Sequence, residues 1–335
     1  SLSCSGDLAT NMAFLMDRSS PTPQGQRKLP RQSSKSTAVR FELFDISETG
    51  LADLIADLES AIAWVSSRGV RAQRSRYATY LRTIRQIEAR RKQGATRAKD
   101  IPVDPLMMEN AFREALQLAR IAHGLRDEDN EHVRDKLRVL IGGPALEGDE
   151  KEINSGNRAR NCAFELDVAA CLAPIARPDF STGVDVTVRH SGVSFLIECK
   201  RTFSLRKLAT NLRDAGRQIT EELEKTGLAA YGVVALSAAK MHWHAGALIR
   251  TKSFMEIDAA IHKWIGQFDR RHVNPWLRRQ GERRLAGVLV HLPYTAYVGD
   301  SPTVVGTQFI LLNRYGPRTI AYSDLSKLFG RVQLK

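Results

Sequence analysis

Two neighbouring runs of alternating apolar and polar residues constrain the fold of this chain more than any other part of its sequence. The first run covers residues 184–189 and the second covers residues 193–200, with Ser191 and Gly192 between them. Period-two alternation is typical of a strand with one buried face, and a two-residue connection containing glycine suits a tight turn between antiparallel strands. The segment therefore predicts a β-hairpin whose Val, Phe and Ile side chains form one face of a hydrophobic core.

The register of this hairpin brings two carboxylates together. A two-residue turn places Asp185 directly opposite Glu198, with Lys200 two residues further along the same face. Like charges that face each other across a strand pair are destabilising, so a divalent cation between them explains the pattern. We expect Mg²⁺, which prefers oxygen ligands, with Mn²⁺ able to substitute, and a Lys200 ammonium that orients or helps to deprotonate a water. The alternative for Glu198 and Lys200 is the solvated face of an amphipathic strand.

Composition and periodicity divide the chain into three regions. Residues 1–40 are rich in Ser, Pro, Gln and basic residues, which predicts a disordered or loosely attached arm. Residues 41–145 carry helical spacing and predict an all-helical domain, made basic by eleven Lys or Arg residues against one acid between Arg68 and Lys99. Residues 146–335 alternate helical and strand patterns, which predicts an α/β layered domain.

The charge of the chain favours a polyanionic partner. Fifty Lys and Arg residues against 37 Asp and Glu residues give a net charge of +13, as is typical of proteins that neutralise phosphates. No run approaches the roughly 18 apolar residues of a membrane span, no secretory signal is visible, and the four cysteines show no paired or zinc-type spacing. These features favour a cytoplasmic protein that binds nucleic acid and has no membrane segment.

The hairpin resembles the signature of a known nuclease superfamily. Asp185 followed by the Glu198-Cys199-Lys200 triplet is similar to the motif of the PD-(D/E)XK superfamily, which has the restriction-endonuclease-like fold. The Glu-Cys-Lys-Arg run is similar to its Mrr-like and RecB-like branches. The resemblance covers about residues 150–240 and implies a core of a helix, a β-meander, a helix and a further strand.

The resemblance implies two additional site residues. An acidic residue on the helix before the meander would supplement the metal site, and Glu165 matches it, with Asp167 as the alternative. A glutamine on the helix after the lysine strand is matched by Gln218, for which an ordinary surface residue is the alternative. Pro178-Asp179 is a literal PD pair, but it lacks the strand pattern and the cross-strand partner that favour Asp185.

Several basic residues are candidate phosphate contacts, which would position a duplex without reading its sequence. They surround the predicted site or lie on the basic helix: Arg201, Arg206, Lys207, Arg213, Arg217, Arg74, Arg82 and Arg85. For the basic helix, a merely solvated face is the alternative.

These features together predict a Mg²⁺-dependent endonuclease that hydrolyses DNA phosphodiester bonds. The resemblance implies restriction of foreign DNA or antiphage defence, with repair or recombination as the alternative setting. Two other interpretations stay open: a catalytically silent nucleic-acid-binding module of the same fold, and a basic helical region that acts as a protein-interaction scaffold. The helical amino-terminal region is expected to bind substrate, a protein partner or a second copy of the chain.

Overall fold

The helical spacing in the first half of the chain corresponds to helices in the computed structural model. The structure describes residues 37–45, 48–95, 100–150, 156–226, 230–242, 249–251, 254–298 and 301–313, and these residues belong to one compact unit. The helices of the first half are α1 (Glu48–Ser67), α2 (Arg76–Lys92), α3 (Pro105–Gly124), α4 (Glu131–Leu140) and α5 (Gly156–Leu172), with a 3₁₀ turn at Glu147–Asp149 before α5.

Local capping signals determine where α3 and α4 begin. The Asp104 side chain accepts a hydrogen bond from a backbone N–H of the first turn of α3, and Pro105 occupies the first helical position. The Asn130 side chain caps α4 by accepting from the backbone N–H of Val133 at 2.9 Å. The cap thus sets the start of α4 at Glu131.

The second half of the chain alternates strands with helices, as its sequence pattern predicts. Its elements are β2 (Pro178–Asp179), β3 (Val186–His190), β4 (Val193–Arg201), α6 (Leu205–Thr226), β5 (Ala230–Ser237), α7 (Ala239–His242), β6 (Ile249–Thr251), α8 (Phe254–Phe268), a π-helical turn (Asp269–Val273), α9 (Asn274–Arg279), β7 (Leu285–Val298) and β8 (Ser301–Asn313). A further strand, β1, precedes all the helices at Thr37–Asp45.

The strands form one mixed sheet in the order β1-β8-β7-β5-β4-β3-β2, with β6 paired to β7. Strands β2, β3 and β4 make an antiparallel meander. Helix α6 then crosses over to β5, which is parallel to β4, and β7 is parallel to β5 in turn. The predicted α/β class is therefore confirmed.

Strand β1 corrects two sequence predictions. The arm is predicted to extend to residue 40 and the helical region to begin at residue 41, whereas Thr37–Asp45 pairs antiparallel with β8. The partner strand lies more than 250 residues later in the sequence, so local patterns do not reveal the pairing. The helical spacing after residue 48 is also a stronger sequence signal than the short alternation before it. Residues 1–36 of the predicted arm lie outside the described residues.

Helices cover both faces of this sheet. One hydrophobic cluster joins α1 to α5 with the face of β4 that carries Phe195 and Ile197. A second cluster joins α6, α8 and α9 with the opposite face, where Leu196 lies. The amino-terminal helices and the sheet therefore share one core. Val184, predicted to share the face of Val186, packs in the second cluster, because the strand alternation begins only at Val186.

Candidate active site

The hairpin has the predicted turn and register. Both turn residues have a positive φ, 51° at Ser191 and 80° at Gly192, which is the conformation of a two-residue type I′ turn. Strands β3 and β4 pair residue by residue in the predicted register. One step beyond the last ladder pair, the same register reaches Asp185 and Glu198.

Asp185 lies where the β3 arm ends, and the neighbouring strand holds it. Its Oδ2 accepts a hydrogen bond from the backbone N–H of Cys199 at 2.8 Å. This contact anchors the carboxylate beside Glu198, whose side chain is buried with 2% of the residue surface exposed. The solvated-face alternative for Glu198 is therefore wrong, because helix α6 covers that face of β4.

Lys200 connects strand β4 to helix α6. Its Nζ donates to Oε1 of Glu198 at 2.5 Å and to Oε1 of Gln218 at 3.0 Å. Gln218, which sequence analysis places on the helix after the lysine strand, thus contacts the lysine directly. Asp185, Glu198, Lys200 and Gln218 form one cluster at the end of the hairpin arm.

Glu165 and Asp167 point to different partners, although they are two residues apart on α5. Asp167 is fully buried and accepts hydrogen bonds from Arg120 at 3.0 and 2.9 Å and from Gln117 at 3.1 Å. Glu165 instead makes an ion pair with Lys136 on α4 and interacts electrostatically with Asp185. The structure therefore brings Glu165, rather than Asp167, to the carboxylate cluster.

Burial and mutual repulsion perturb the carboxylates of this cluster. Burial raises the pKa of Asp185 to about 6, and the nearby Glu198 carboxylate adds to the rise; the Cys199 hydrogen bond, Lys136 and Lys200 act against it. Burial and the charge of Asp185 likewise raise the pKa of Glu165. The local lysines therefore do not fully offset the clustered negative charge, and an additional cation would stabilise both ionised carboxylates.

The literal PD pair lies elsewhere. Pro178 and Asp179 form the two-residue strand β2 and pair with β3, with Asp179 opposite Thr187. Asp179 is exposed and accepts from the backbone N–H and the Oγ of Ser181 at 2.8 and 2.7 Å. This carboxylate stabilises a turn, and the connection to β3 leaves Asp185 as the residue opposite Glu198.

Arg201 is held by carboxylates inside the protein. Its guanidinium lies 2.6 Å from Glu147 and 3.2 Å from Glu150, and 9% of its side chain is exposed. We therefore assign Arg201 to the attachment of the 3₁₀ turn to β4, not to phosphate contact. Its position directly after Lys200 predicts a phosphate contact, because the sequence shows that proximity but not the partners Glu147 and Glu150.

The other candidate phosphate contacts are exposed. Several of them already have partners on the protein surface: Arg217 with Glu221 at 2.7 Å, Arg213 with Asp214 at 3.6 Å, Arg85 with Glu59, and Arg82 with the Thr79 hydroxyl at 3.2 Å. All of these arginines and lysines lie on α6 or on and just before α2: Arg206, Lys207, Arg213, Arg217, Arg74, Arg82 and Arg85. Surface ion pairs of this kind contribute little stability, so phosphates could replace the acidic partners.

A buried ion network supports the site from the helical layer. Glu114 on α3 lies 2.7 Å from Arg76 and 2.6 Å from Arg160, and Arg160 lies 3.2 Å from Glu150. Since Glu150 also binds Arg201, the network reaches the end of β4. The sequence does not reveal this network, because each member resembles an ordinary charged surface residue.

The described residues contain no group of three His, Cys, Asp or Glu side chains already arranged around a metal position. Mg²⁺ is commonly held by one or two carboxylates together with water and substrate phosphate. Asp185 and Glu198 supply two such carboxylates on adjacent strands, so the donor set fits a hard divalent cation.

Comparison with protein-family models, with curated proteins and with solved structures gives no match for this chain. Within the described part of the chain, no helix is both long and apolar enough to cross a membrane.

Proposed function

We propose that this protein is a metal-dependent endonuclease that hydrolyses DNA phosphodiester bonds. One observation carries the proposal: Asp185 and Glu198 face each other across a hairpin end, with Lys200 bonded to both Glu198 and Gln218. Burial of the Asp185 and Glu198 carboxylates next to each other raises the pKa of Asp185 and destabilises the folded protein, which a purely structural role would not require. The arrangement suits a site that receives a divalent cation.

Asp185 and Glu198 would hold Mg²⁺ or Mn²⁺, with Glu165 as a third carboxylate at the edge of the site. Such an ion, when bound, polarises a phosphoryl oxygen and lowers the pKa of water. Gln218 and Glu198 hold the Lys200 ammonium in place. From there Lys200 can orient the attacking water and offset the negative charge that develops on the phosphate.

The order of elements supports the same proposal. Helix α5, the meander β2–β4, helix α6 and the parallel strand β5 follow each other as in the core that the PD-(D/E)XK resemblance implies. Glu165 lies on α5, the Glu198-Cys199-Lys200 triplet on β4 and Gln218 on α6, which are the elements that the resemblance implies for them. By this resemblance we propose restriction or antiphage defence in the cytoplasm as the setting, with repair or recombination as the alternative.

The charge of the protein supports DNA as the substrate. The net charge is +13, and exposed arginines lie on α6, the helix that also carries Gln218. Contacts from such residues to phosphates would hold a duplex close to Lys200 without selecting a sequence.

The test is cleavage of linear, supercoiled and single-stranded DNA with Mg²⁺, Mn²⁺ or EDTA. The parent, Lys200→Ala and the matched control Lys263→Ala, an exposed lysine on α8, are purified in parallel so that contaminating nuclease is visible. We expect metal-dependent cutting by the parent and by Lys263→Ala, and a loss of about 10²-fold or more in Lys200→Ala.

Equal metal-dependent cutting by Lys200→Ala and Asp185→Asn would show that the activity does not come from this site. DNA retention that falls with salt, without cutting under any metal condition, would instead support the catalytically silent binding module.

A further inference from the structure

A second lysine reaches the carboxylate cluster, and it comes from outside the hairpin. Lys136 lies on α4 and makes an ion pair with Glu165 on α5; their side chains are 21% and 13% exposed. The Lys136 Nζ also lies 5.6 Å from the centre of the Phe180 ring. Carboxylates and aromatic faces both attract ammonium groups, so these contacts hold the lysine beside the site.

The charge of Lys136 acts on more than its direct partner. Burial opposes the charged form of Lys136, but the carboxylates of Glu165 and Asp185 outweigh this effect and raise its pKa. Each of the two lysines pairs with a different glutamate: Lys200 with Glu198 and Lys136 with Glu165. Lys136 therefore lies where it neutralises the Glu165 side of the cluster.

We propose that Lys136 is an internal counter-cation that occupies Glu165 in the metal-free protein and competes with a divalent metal ion for that carboxylate. A carboxylate oxygen that accepts from an ammonium group is a poorer metal ligand, since the two cations compete for the same lone pairs and repel each other. The competition rests on the proposed metal site, whereas the ion pair itself does not. Metal affinity would then depend on a residue of the helical amino-terminal region.

The first test is calorimetric titration of Mn²⁺ alone into the parent and its variants. Lys136→Met keeps most of the length of the side chain and removes its charge, and we expect it to bind Mn²⁺ about tenfold more tightly. Lys136→Arg keeps the charge and should bind like the parent, as should the control Lys263→Met. In a Glu165→Gln background the gain from Lys136→Met should disappear, since the contested carboxylate is gone.

Two titration results would overturn the inference. Equal Mn²⁺ affinity of the parent and Lys136→Met would show that no competition exists. A tenfold gain that persists in the Glu165→Gln background would show a general charge effect and not competition for Glu165.

The second test needs no metal and separates this inference from the proposed function. Chemical unfolding in EDTA is compared for the parent, Lys136→Met, Glu165→Gln and the double variant. We expect Lys136→Met to lower the unfolding midpoint in the parent background and to have a smaller effect in the Glu165→Gln background. Additive effects would contradict the ion pair and overturn the inference. If the effects of the two substitutions on unfolding are coupled but no variant binds Mn²⁺, the ion pair exists and the proposed metal site does not. The proposed competition would then be overturned.

Discussion

The backbone N–H of Cys199 donates a hydrogen bond to Oδ2 of Asp185 at 2.8 Å, which fastens the end of one hairpin arm to the strand that carries Glu198 and Lys200. Asp185 therefore has two functions. Its Oδ2 atom accepts the hydrogen bond that holds the hairpin arm, and its negative charge would bind the metal ion.

Substitution of Asp185 separates these two functions. Asp185→Asn keeps an oxygen acceptor for the Cys199 N–H, so we expect the fold to persist while Mn²⁺ binding weakens at least tenfold. Asp185→Ala also leaves that N–H without its partner, which should lower the free energy of unfolding by about 1–2 kcal/mol relative to Asp185→Asn. Calorimetry with Mn²⁺ and urea unfolding measure the two effects. Undiminished Mn²⁺ binding by Asp185→Asn would remove this residue from the metal site.

The raised pKa of Asp185 predicts how stability depends on pH. Burial and Glu198 raise the pKa of this carboxyl from 3.8 to about 6 in the folded protein. The folded state therefore holds the proton more tightly, and the resulting stabilisation is complete below about pH 4 and is lost as the pH rises through about 6. In EDTA, the parent should lose about 1–3 kcal/mol relative to Asp185→Asn over that interval.

Urea unfolding of both proteins at a series of pH values between 4 and 7 measures this difference. A constant difference would mean that Asp185 titrates normally. Because a carboxylate must lose its proton to bind metal, Mn²⁺ affinity of the parent should rise over the same interval.

The buried network around Glu114 predicts a large effect on stability. Glu114→Gln leaves Arg76 and Arg160 buried without the charge that lies 2.7 and 2.6 Å from them. Breaking a buried pair in this way should lower the free energy of unfolding by about 3–5 kcal/mol. The control Glu88→Gln disrupts the exposed pair with Lys92 and should cost about 0.5 kcal/mol or less. Similar losses in both variants would show that the Glu114 network does not stabilise the fold.

The exposed arginines of α6 predict a salt-dependent effect on DNA binding. We expect the triple substitution of Arg206, Arg213 and Arg217 by alanine to weaken DNA binding and to reduce the slope of log K against log salt by about 2–3. Mn²⁺ binding should be unchanged, because these side chains lie on the solvent side of the helix. The matched control replaces Arg74, Arg82 and Arg85, and the larger effect identifies the helix that contacts phosphate. An unchanged slope in both variants would exclude both helices as phosphate contacts.

Local patterns were sufficient to predict the hairpin and its register. Alternation and a two-residue turn determine which residues oppose each other, so the position of Asp185 opposite Glu198 followed from counting. Helical and strand patterning predicted the helices on either side of the meander, and the resemblance, not the spacing, implied Glu165 and Gln218 on them. These features depend on residues close together in the sequence.

Contacts between distant elements could not be predicted from such patterns. Glu165 and Asp167 are both acidic and lie on one helix, and only the positions of Lys136 and Arg120 distinguish them. Arg201 looked like a free cation because its partner Glu147 lies 54 residues earlier. Strand β1 was missed for the same reason, since its partner β8 lies more than 250 residues later in the sequence.

The chain order of the site residues has a consequence for protein synthesis. Lys136 and Glu165 lie on helices that are complete before the hairpin is made, so their ion pair can form in a partly synthesised chain. Glu198 follows later, and Lys200 is added only two residues after it. Each of these two glutamates is therefore synthesised within a short stretch of chain from the lysine that pairs with it. Both Glu165 and Glu198 therefore have a cationic partner within the chain itself, independent of any metal ion.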